Sequence, residues 1–419
     1  MNGRIFFWSL TAALAGFLFG FDTVVISGAE KTIQSLWSLS DGLHGIAMAS
    51  ALYGTVVGSL LGGWPADRFG RKATLLWIGI FYFVGAVGSA LATNVAAFIA
   101  ARVIGGLGIG ISTVVAPLYI SEIAPPKHRG RLAGIGVNAW RWMLGVAAFP
   151  SLLYALFCIG LPESPRWLLG RKGDRAGGRK VLQLIEPDAT PAEIDAQTAD
   201  IMAAASETGS SGHFWTAGLR KPILLAILIA FFNQLSGINA ILYFAPRIFE
   251  LAGLKEKSAL LQSIGIGATN LVFTFVGLWL IDRLGRRTLL YIGSFGYIAS
   301  LGLVAWAFFT GHFTVVPILI FAFIAAHAIG QGAVIWVFIS EIFPNRQRAE
   351  GQALGSSSHW ICAAVLITFF PRIATAFPPG YVFLFFAGMM VLQLIWVKTM
   401  VPETKGVPLE EMQRQLGIG

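Results

Sequence analysis

Four side chains that can exchange hydrogen bonds with a neutral ligand lie within eleven residues of an otherwise apolar stretch. They are Asn233, Gln234, Asn239 and Tyr243. A carboxamide offers both donors and acceptors, and tyrosine adds a hydroxyl on an aromatic ring. On a helix these four share one broad face, because their spacings are at or within one residue of i+4. Such a face suits a neutral, hydroxyl-rich solute, although amides in membrane helices also serve as hydrogen bonds between helices.

A second candidate site pairs an acid with a base. Asp22 lies within the first apolar stretch and Arg102 near the start of the fourth. If these stretches cross a membrane in opposite directions, both side chains lie in its outer half at similar depth. A charge near the bilayer centre costs ~2.5–3.5 kcal/mol, so it needs a partner or a function. We interpret Asp22 as a proton carrier and Arg102 as its modulator, because a nearby cation favours the carboxylate and burial favours the neutral acid. A static buried ion pair is the alternative.

Two short charged phrases occur twice in the chain. Asp67–Lys72 returns as Asp282–Arg287, and Ile120–Pro125 returns as Ile339–Pro344. The glycine at the fourth position of the first phrase permits a tight turn between helices. We predict that charged residues in and near these phrases form ion-pair latches between helix ends, and that they also fix the membrane topology. The predicted latch residues are Arg68, Arg71, Glu122, Arg131, Glu163, Arg166, Arg283, Arg287, Glu341 and Arg348.

The remainder of the chain is apolar to a degree that indicates membrane spans. Of 419 residues, 56% are hydrophobic and 12% are charged, and the net charge is +9. A soluble domain is about a quarter charged. Because the basic residues lie in short loops, we interpret them as topology signals and not as a nucleic-acid surface. Cys158 and Cys362 both lie in apolar stretches, so we expect buried thiols and neither a disulfide nor a metal site.

Apolar stretches of span length occur eleven times. The first is long enough to span and has no obvious small-residue cleavage site, so we do not interpret it as a cleavable signal. In the sixth, Ser236 and Gly237 separate the amides and should loosen the helix. A polar linker follows the fifth, and Thr190 with Glu193 has the chemistry of a helix start there. The predicted spans are at about 5–28, 42–64, 73–93, 96–119, 137–161, 221–245, 260–281, 288–310, 314–340, 352–376 and 379–401.

The two halves are unequal in length at one place. The aspartate of the first phrase and the glutamate of the second are 55 residues apart in one half and 59 in the other. That glutamate and the glutamate of a later Pro-Glu phrase are 41 residues apart in the first half and 62 in the second. The shortfall is close to one membrane-crossing helix. We therefore predict a two-fold repeat that has lost one helix, with an N-terminal bundle at 1–161, a cytoplasmic linker with short helices at 162–220, a six-helix bundle at 221–401 and a cytoplasmic tail at 402–419.

The basic loops predict the orientation of the spans. Lysines and arginines follow spans two and four, fill the linker and recur in the corresponding loops of the second half, so these segments should be cytoplasmic. Between Arg131 and Pro162 there is room for only one span, although both positions are expected inside. Three explanations are open: an inverted second half, a segment that does not cross normally, or a defective deletion variant.

Several motifs, taken in order, resemble the sugar porter branch of the major facilitator superfamily over essentially the whole chain. Besides the repeated phrases they are RVIGG at 102–106, PLYISEIAP at 117–125, PESPRW at 162–167, QLSGIN at 234–239 and PETKG at 402–406. The resemblance implies an all-α membrane protein with the major facilitator fold, in which two pseudo-symmetric helix bundles carry hexoses or pentoses by alternating access. Family members have twelve spans. Here the Arg129–Gly134 and Asn138–Trp142 phrases, which would flank the fifth helix, are nearly joined, so we expect about eleven.

The resemblance also implies further solute contacts. His359 stands where many members have an amide, and its imidazole still donates and accepts. His327 stands where relatives often have an aromatic ring, and either histidine could instead be a packing residue. Relatives with an acid at the position of Asp22 resemble proton symporters. The additional positions that line the family's cavity are Phe19, Asn270, Gly332, Trp336, His359 and Trp360.

These observations together predict a proton-coupled monosaccharide symporter of a bacterial inner membrane. The partners are then a monosaccharide and the lipid bilayer, with no nucleic acid, and we expect a monomer. The coupling ion is a proton and no other cofactor is expected. The alternatives are a proton-independent facilitator, or a sensor or deletion variant that binds sugar without transporting it. We find no P-loop, zinc spacing or nucleophile–base pair, which argues against an enzyme.

Overall fold

The computed structural model describes residues 3–123, 140–207, 214–344, 347–407 and 409–418. Within these ranges the chain is helical with short connections and contains no strand. Each of the eleven predicted spans overlaps one or more helices, and positions 137–139 of the fifth lie outside the described residues. Nine helical segments of the described residues are long and apolar enough to cross a membrane. The all-α prediction is therefore confirmed.

The described residues of the first half, up to the linker, form five long helices and one short helix. Ser40 caps the second helix, since its hydroxyl accepts from the backbone N–H of Leu43 at 3.4 Å. The helices are α1 Gly3–Leu36, α2 Asp41–Leu61, α3 Gly63–Phe69, α4 Arg71–Leu91, α5 Val95–Ile123 and α6 Trp140–Ile159.

The linker folds into short helices that pack on the first half. The predicted helix start is confirmed: the backbone N–H of Thr190 donates to the Glu193 carboxylate at 2.7 Å. Hydrogen bonds from the backbone and the side chain of Thr190 lower the pKa of Glu193. The indole of Trp167 donates to the backbone oxygen of Asp67 at 2.8 Å, which holds the linker against the first half. The linker helices are α7 Pro165–Trp167, α8 Arg175–Ile185 and α9 Pro191–Glu207, with a π-helical turn at Leu168–Lys172.

Two spans of the second half are interrupted. Gly237 has a left-handed backbone, with φ of 82°, and it ends one helical segment at the Ser236-Gly237 pair as predicted. A π-helical turn at Ala328–Gly332, with Gly330 outside helical geometry, interrupts another. The helices are α10 Arg220–Leu235, α11 Ile238–Tyr243, α12 Ala245–Leu251, α13 Glu256–Leu284, α14 Arg286–Thr310, α15 Val316–His327, α16 Ala333–Ile342, α17 Arg348–Ala376, α18 Pro379–Met400 and α19 Leu409–Leu416.

Helix α6 crosses the molecule as a single span. The Tyr119 hydroxyl near the end of α5 donates to the backbone oxygen of Pro162, just beyond the end of α6, at 2.9 Å. The ends of α5 and α6 therefore lie at the same face. Because α6 has 20 residues and is about 30 Å long, its start lies at the opposite face.

The two halves have the same orientation. Phe7 near the start of α1 contacts Phe157 near the end of α6, which places the end of α1 at the face away from the basic phrases. There Lys31 of α1 forms an ion pair with Glu250 of α12. Helix α13 then returns to the basic face, so the explanation that invoked an inverted second half is wrong.

Helix α2 of the first half packs along α17 of the second. The Tyr53 and Thr368 hydroxyls are 2.6 Å apart, and a side chain at Gly45 would lie 1.9 Å from the Thr368 carbonyl oxygen. In the repeat, α13 corresponds to α2, and α17 corresponds to the helix that the first half is predicted to lack. Only 17% of the residues in the Ile264–Leu284 window of α13 are buried, the smallest share among the nine spans of the described residues. Low burial of α13 within the described residues is what the predicted loss of a helix would produce, and that loss stays a prediction.

Candidate functional site

The predicted amide cluster is buried at the break between α10 and α11. The Gln234 side-chain nitrogen donates to Asn233 Oδ1 at 3.0 Å, and its carbonyl oxygen accepts from Asn239 Nδ2 at 2.7 Å. The left-handed Gly237 turns the chain between these residues, so amides five positions apart in sequence meet directly. All three side chains are buried. The three amides therefore hold one another in fixed positions. A hydroxyl of a bound ligand can take the place of one amide as the hydrogen-bond partner of another.

Three rings from neighbouring helices of the second half complete this cluster. The imidazole of His359 lies 3.1 Å from the Gln234 side-chain nitrogen through Nε2. Its ring centroid is 5.1 Å from that of Trp336 and 4.6 Å from that of Trp360. The indole nitrogen of Trp360 is buried. Helices α10, α16 and α17 thus bring together polar groups and aromatic faces, the combination that binds the two kinds of surface on a pyranose.

The other predicted contacts lie around this centre. Tyr243 is fully buried on α11. Asn270 is half-buried on α13, and Gly332 lies at the end of the π-helical turn against His327. His327 packs on Tyr297 with ring centroids 5.9 Å apart. Phe19 lies within α1, but its side chain is outside the described residues.

The Asp22 and Arg102 side chains form an ion pair between α1 and α5. Both are mostly buried, with 16% and 4% of their side chains exposed. The second oxygen of Asp22 and two guanidinium nitrogens of Arg102 have no hydrogen-bond partner in the part of the chain that is described. Unpartnered buried polar atoms are costly and point to a site where a further group binds.

A small cavity lies beside this ion pair. Its wall includes Tyr82, Ser89 and Ser151 from α4 and α6. The Ser89 hydroxyl is a further buried polar atom without a partner among the described residues. Hydroxyl groups on a cavity wall next to a carboxylate are suited to proton movement, because a hydroxyl both donates and accepts.

Tyr243 connects the two sites. It belongs to the amide-bearing helix α11, yet it lies near Asp22 and Arg102 and beside Thr23 of α1. One phenol therefore lies between the predicted solute contacts of the second half and the ion pair of the first half. A movement of α11 on solute binding would change the surroundings of Asp22 directly.

The repeated phrases form two matching networks at the basic face. The Glu163 carboxylate accepts from the backbone N–H of Arg71 at 2.8 Å, at the start of α4. Glu403 does the same at the start of α14, with the N–H of Arg286 at 2.8 Å. Burial raises the pKa of Glu163, and N–H groups of Ser164 and the α4 start oppose that rise. In each half, a carboxylate that is distant in sequence thus binds the N-terminus of a helix, α4 in the first half and α14 in the second.

The predicted latch residues do not all pair with one another. Glu341 receives two hydrogen bonds from Arg286, at 2.7 and 3.0 Å, and Arg71 reaches Asp67 at 3.1 Å. Arg286 and Glu403 were absent from the predicted set, although the repeat aligns Arg286 with Arg71. Arg68 and Arg283 lie over tryptophan rings, Arg287 donates to the Lys398 carbonyl oxygen, Arg166 is exposed and Arg348 is half-buried. The Glu122 side chain and the whole of Arg131 lie outside the described residues.

Replacing Gly285 with alanine should destabilise the protein more than replacing Gly253 with alanine does. Gly285 has φ of 89°, and an added Cβ would lie 2.4 Å from the Glu403 carboxylate. Gly253 has a similar φ of 84° with open space around it. Gly253→Ala therefore measures backbone strain alone, about 1–2 kcal/mol. We expect Gly285→Ala to lower the melting temperature in a thermal-shift assay clearly further. Equal shifts would show that the contact with Glu403 contributes nothing to stability.

Two sets of helices pack against each other and enclose buried amides and an intramembrane ion pair. This arrangement defines a multi-pass membrane protein of the major facilitator fold. The family model described as "Sugar (and other) transporter" matches residues 8–137 and 134–416. The chain therefore belongs to the sugar transporter family. The two matched segments meet at 134–137, where the sequence predicts that a helix is missing.

Similar proteins extend over nearly the whole chain. The chain is 34% identical to the arabinose-proton symporter of Bacillus subtilis, over 98% of this chain and 95% of the relative. It is 35% identical to the glucose transporter GlcP of Staphylococcus epidermidis, over 97% and 96%. It also superposes on the solved structure of the major facilitator proton:xylose symporter XylE bound to 6-bromo-6-deoxy-D-glucose. That match has a TM-score of 0.83 and 30% identity, over 99% of each chain.

Proposed function

We propose that this protein carries a monosaccharide, a hexose or a pentose, across the membrane by alternating access in symport with a proton. The observation that carries the proposal is the position of Tyr243, between the buried amide cluster and the Asp22–Arg102 ion pair. Binding of sugar to the amides and ionisation of the Asp22 carboxylate would then both affect helix α11. The printed names of relatives, an arabinose-proton symporter and a proton:xylose symporter, support sugar and proton as the two solutes.

Each part of the site has a role in this proposal. The amides of Asn233, Gln234 and Asn239, with His359, bind the sugar hydroxyls, and Trp336 and Trp360 contact the ring face. Phe19, Tyr243, Asn270 and Gly332 complete the wall, as the family resemblance implies. Asp22 takes up the proton when Arg102 moves away, because the loss of an adjacent cation favours the neutral acid. The latch residues bias the equilibrium between conformations.

A proton-independent facilitator is the second candidate. The observation that favours it is the ion pair itself, since Asp22 and Arg102 are already in contact and a static structural pair would have the same geometry. A chain that lacks a packing partner for α13 could also bind sugar without transporting it. Both alternatives retain sugar binding. They differ from symport because a proton gradient would not drive sugar accumulation in either of them.

Uptake into proteoliposomes separates these candidates. Purified protein is reconstituted, and labelled arabinose, xylose and glucose are supplied with or without an inward proton gradient. We expect at least one sugar to accumulate above its external concentration with the gradient and only to equilibrate with a protonophore. Equilibration at the same rate in both conditions would leave a facilitator. Sugar binding without counterflow would leave a non-transporting binder.

The setting proposed for this activity is a bacterial inner membrane. The bacterial origin of the relatives described above supports it. The protein would act as a monomer, with the proton as coupling ion and no other cofactor.

A further inference from the structure

A second group of charged residues joins the two halves at the face away from the basic phrases. It lies at the end of α1 and the start of α2 on one side and on α12 on the other. Three contacts cross between the halves: Lys31 with Glu250, Arg247 with Glu30, and Arg247 with the Gln34 side-chain oxygen. We call Glu30, Lys31, His44, Arg247 and Glu250 the outer charge cluster.

Glu30 is the centre of this cluster. Its side chain is 1% exposed, and one carboxylate oxygen lies 2.9 Å from Nε2 of His44, which is fully buried on α2. The other oxygen lies 3.4 Å from Nε of Arg247. A buried carboxylate is costly unless partners surround it, and removing one partner leaves an uncompensated charge. The buried Glu30 carboxylate is therefore compensated from both halves, by His44 of the first and Arg247 of the second.

The remaining contacts are more exposed and weaker. The Lys31 and Glu250 side chains are 40% and 23% exposed, so solvent screens that pair. The Asp41 carboxylate accepts from the Thr375 hydroxyl at 3.0 Å, which adds a link between α2 and α17. The apolar side chain of Phe244 lies between His44 and Phe370 and excludes water from the same region.

The cluster is directly connected to the proposed sugar site. Helix α11, which carries Asn239 and Tyr243, ends at Phe244, a residue with a non-helical backbone. Arg247 and Glu250 follow in the next helix, α12, within seven residues of Tyr243. A displacement of α11 by bound sugar is therefore passed through this short junction to the residues that contact Glu30.

We propose that the outer charge cluster holds the outer end of the transport pathway closed, and that its contacts between halves break each time the protein opens outward. The role in transport rests on the proposed function, whereas the closure itself is a property of the structure. Glu30 supplies most of the effect because its charge is buried, and His44 is a positioning residue that orients Glu30 toward Arg247.

The separation of the outer ends tests this proposal. Spin labels are placed at Leu36 and Phe377, which are 52% and 56% exposed at the outer ends of α1 and α17, in a chain with Cys158 and Cys362 replaced by serine. Double electron–electron resonance then measures the distance distribution. We expect Glu30→Gln and Arg247→Gln to raise the ratio of long to short distances about tenfold. Lys255→Gln, which removes an exposed outer lysine outside the cluster, should leave the distribution unchanged.

A charge exchange guards against simple misfolding. Lys31→Glu and Glu250→Lys should each raise the long-distance population, and the double variant should restore the short one. Unchanged distributions in Glu30→Gln, in Arg247→Gln and in both single exchange variants would overturn the proposal. The measurement needs no transport. A distance shift in a protein that accumulates no sugar would uphold the closure and refute the proposed function. Normal accumulation with no distance shift would uphold the proposed function and refute the closure.

Discussion

Replacing Asp22 with asparagine will abolish sugar accumulation while leaving sugar exchange in place. An inward gradient of one pH unit stores ~1.4 kcal/mol per proton, enough for about tenfold accumulation at one proton per sugar. Asparagine keeps an oxygen that can accept from Arg102 but takes up no proton, so the ratio of internal to external sugar should fall from about tenfold to one. Labelled sugar in proteoliposomes under an imposed gradient measures this ratio.

The controls for this result are chosen on charge and burial. Asp188→Asn removes an exposed carboxylate from the linker and should accumulate sugar normally. Because Asp22→Asn leaves the Arg102 charge buried without its counter-ion, the double variant Asp22→Asn/Arg102→Gln removes both charges and separates coupling from stability. Undiminished accumulation by Asp22→Asn would mean that another group carries the proton.

The Gln234→Ala variant will bind sugar about 10–100-fold more weakly. Gln234 contacts Asn233, Asn239 and His359, so its loss removes one proposed sugar contact and releases three neighbours from their positions. A buried hydrogen bond left unmade costs about 1–3 kcal/mol, which corresponds to this range of affinity. Equilibrium binding of the sugar that proteoliposomes accumulate provides the measurement.

Gln393 offers a matched control for Gln234. It is also a fully buried amide with two polar partners, Gln331 at 2.6 Å and Ser294 at 2.9 Å, but it is not among the predicted sugar contacts. We expect Gln393→Ala to lower the melting temperature and to change the sugar affinity by less than about twofold. Equal losses of affinity in the two variants would show that Gln234 acts through general packing.

The spans, the amide cluster and the Asp22–Arg102 pair could all be predicted from the sequence for the same physical reason. In lipid a polar side chain is costly, so Asn239 or Asp22 inside an apolar stretch is conspicuous. The motifs then identified the family, which the comparisons confirm. The Ser236-Gly237 break was predictable because glycine tolerates the left-handed backbone that ends α10.

Other features could not be predicted because they depend on contacts between distant segments. Glu30 and His44 lie near span ends, where charged residues are ordinary, so nothing in the sequence indicated that both are buried. Their partner Arg247 is more than 200 positions away. The Arg286–Glu341 pair was within reach, since the repeat equates Arg286 with Arg71, but which arginine of a run reaches an acid depends on helix rotation. The sequence excluded none of the three explanations for the short first half, and only the relative orientation of α1 and α12 excludes the inverted one.

The ion pair between α1 and α5 has a consequence for biosynthesis. Helix α1 ends at Leu36 and α5 begins at Val95, so during translation α1 enters the membrane before α5 is made and Asp22 is inserted without Arg102. The cost of an isolated carboxylate falls when it binds a proton, and we expect nascent α1 to enter the lipid in that neutral form. Arrival of the arginine then expels the proton, which makes insertion of α5 the step that fixes α1 in place.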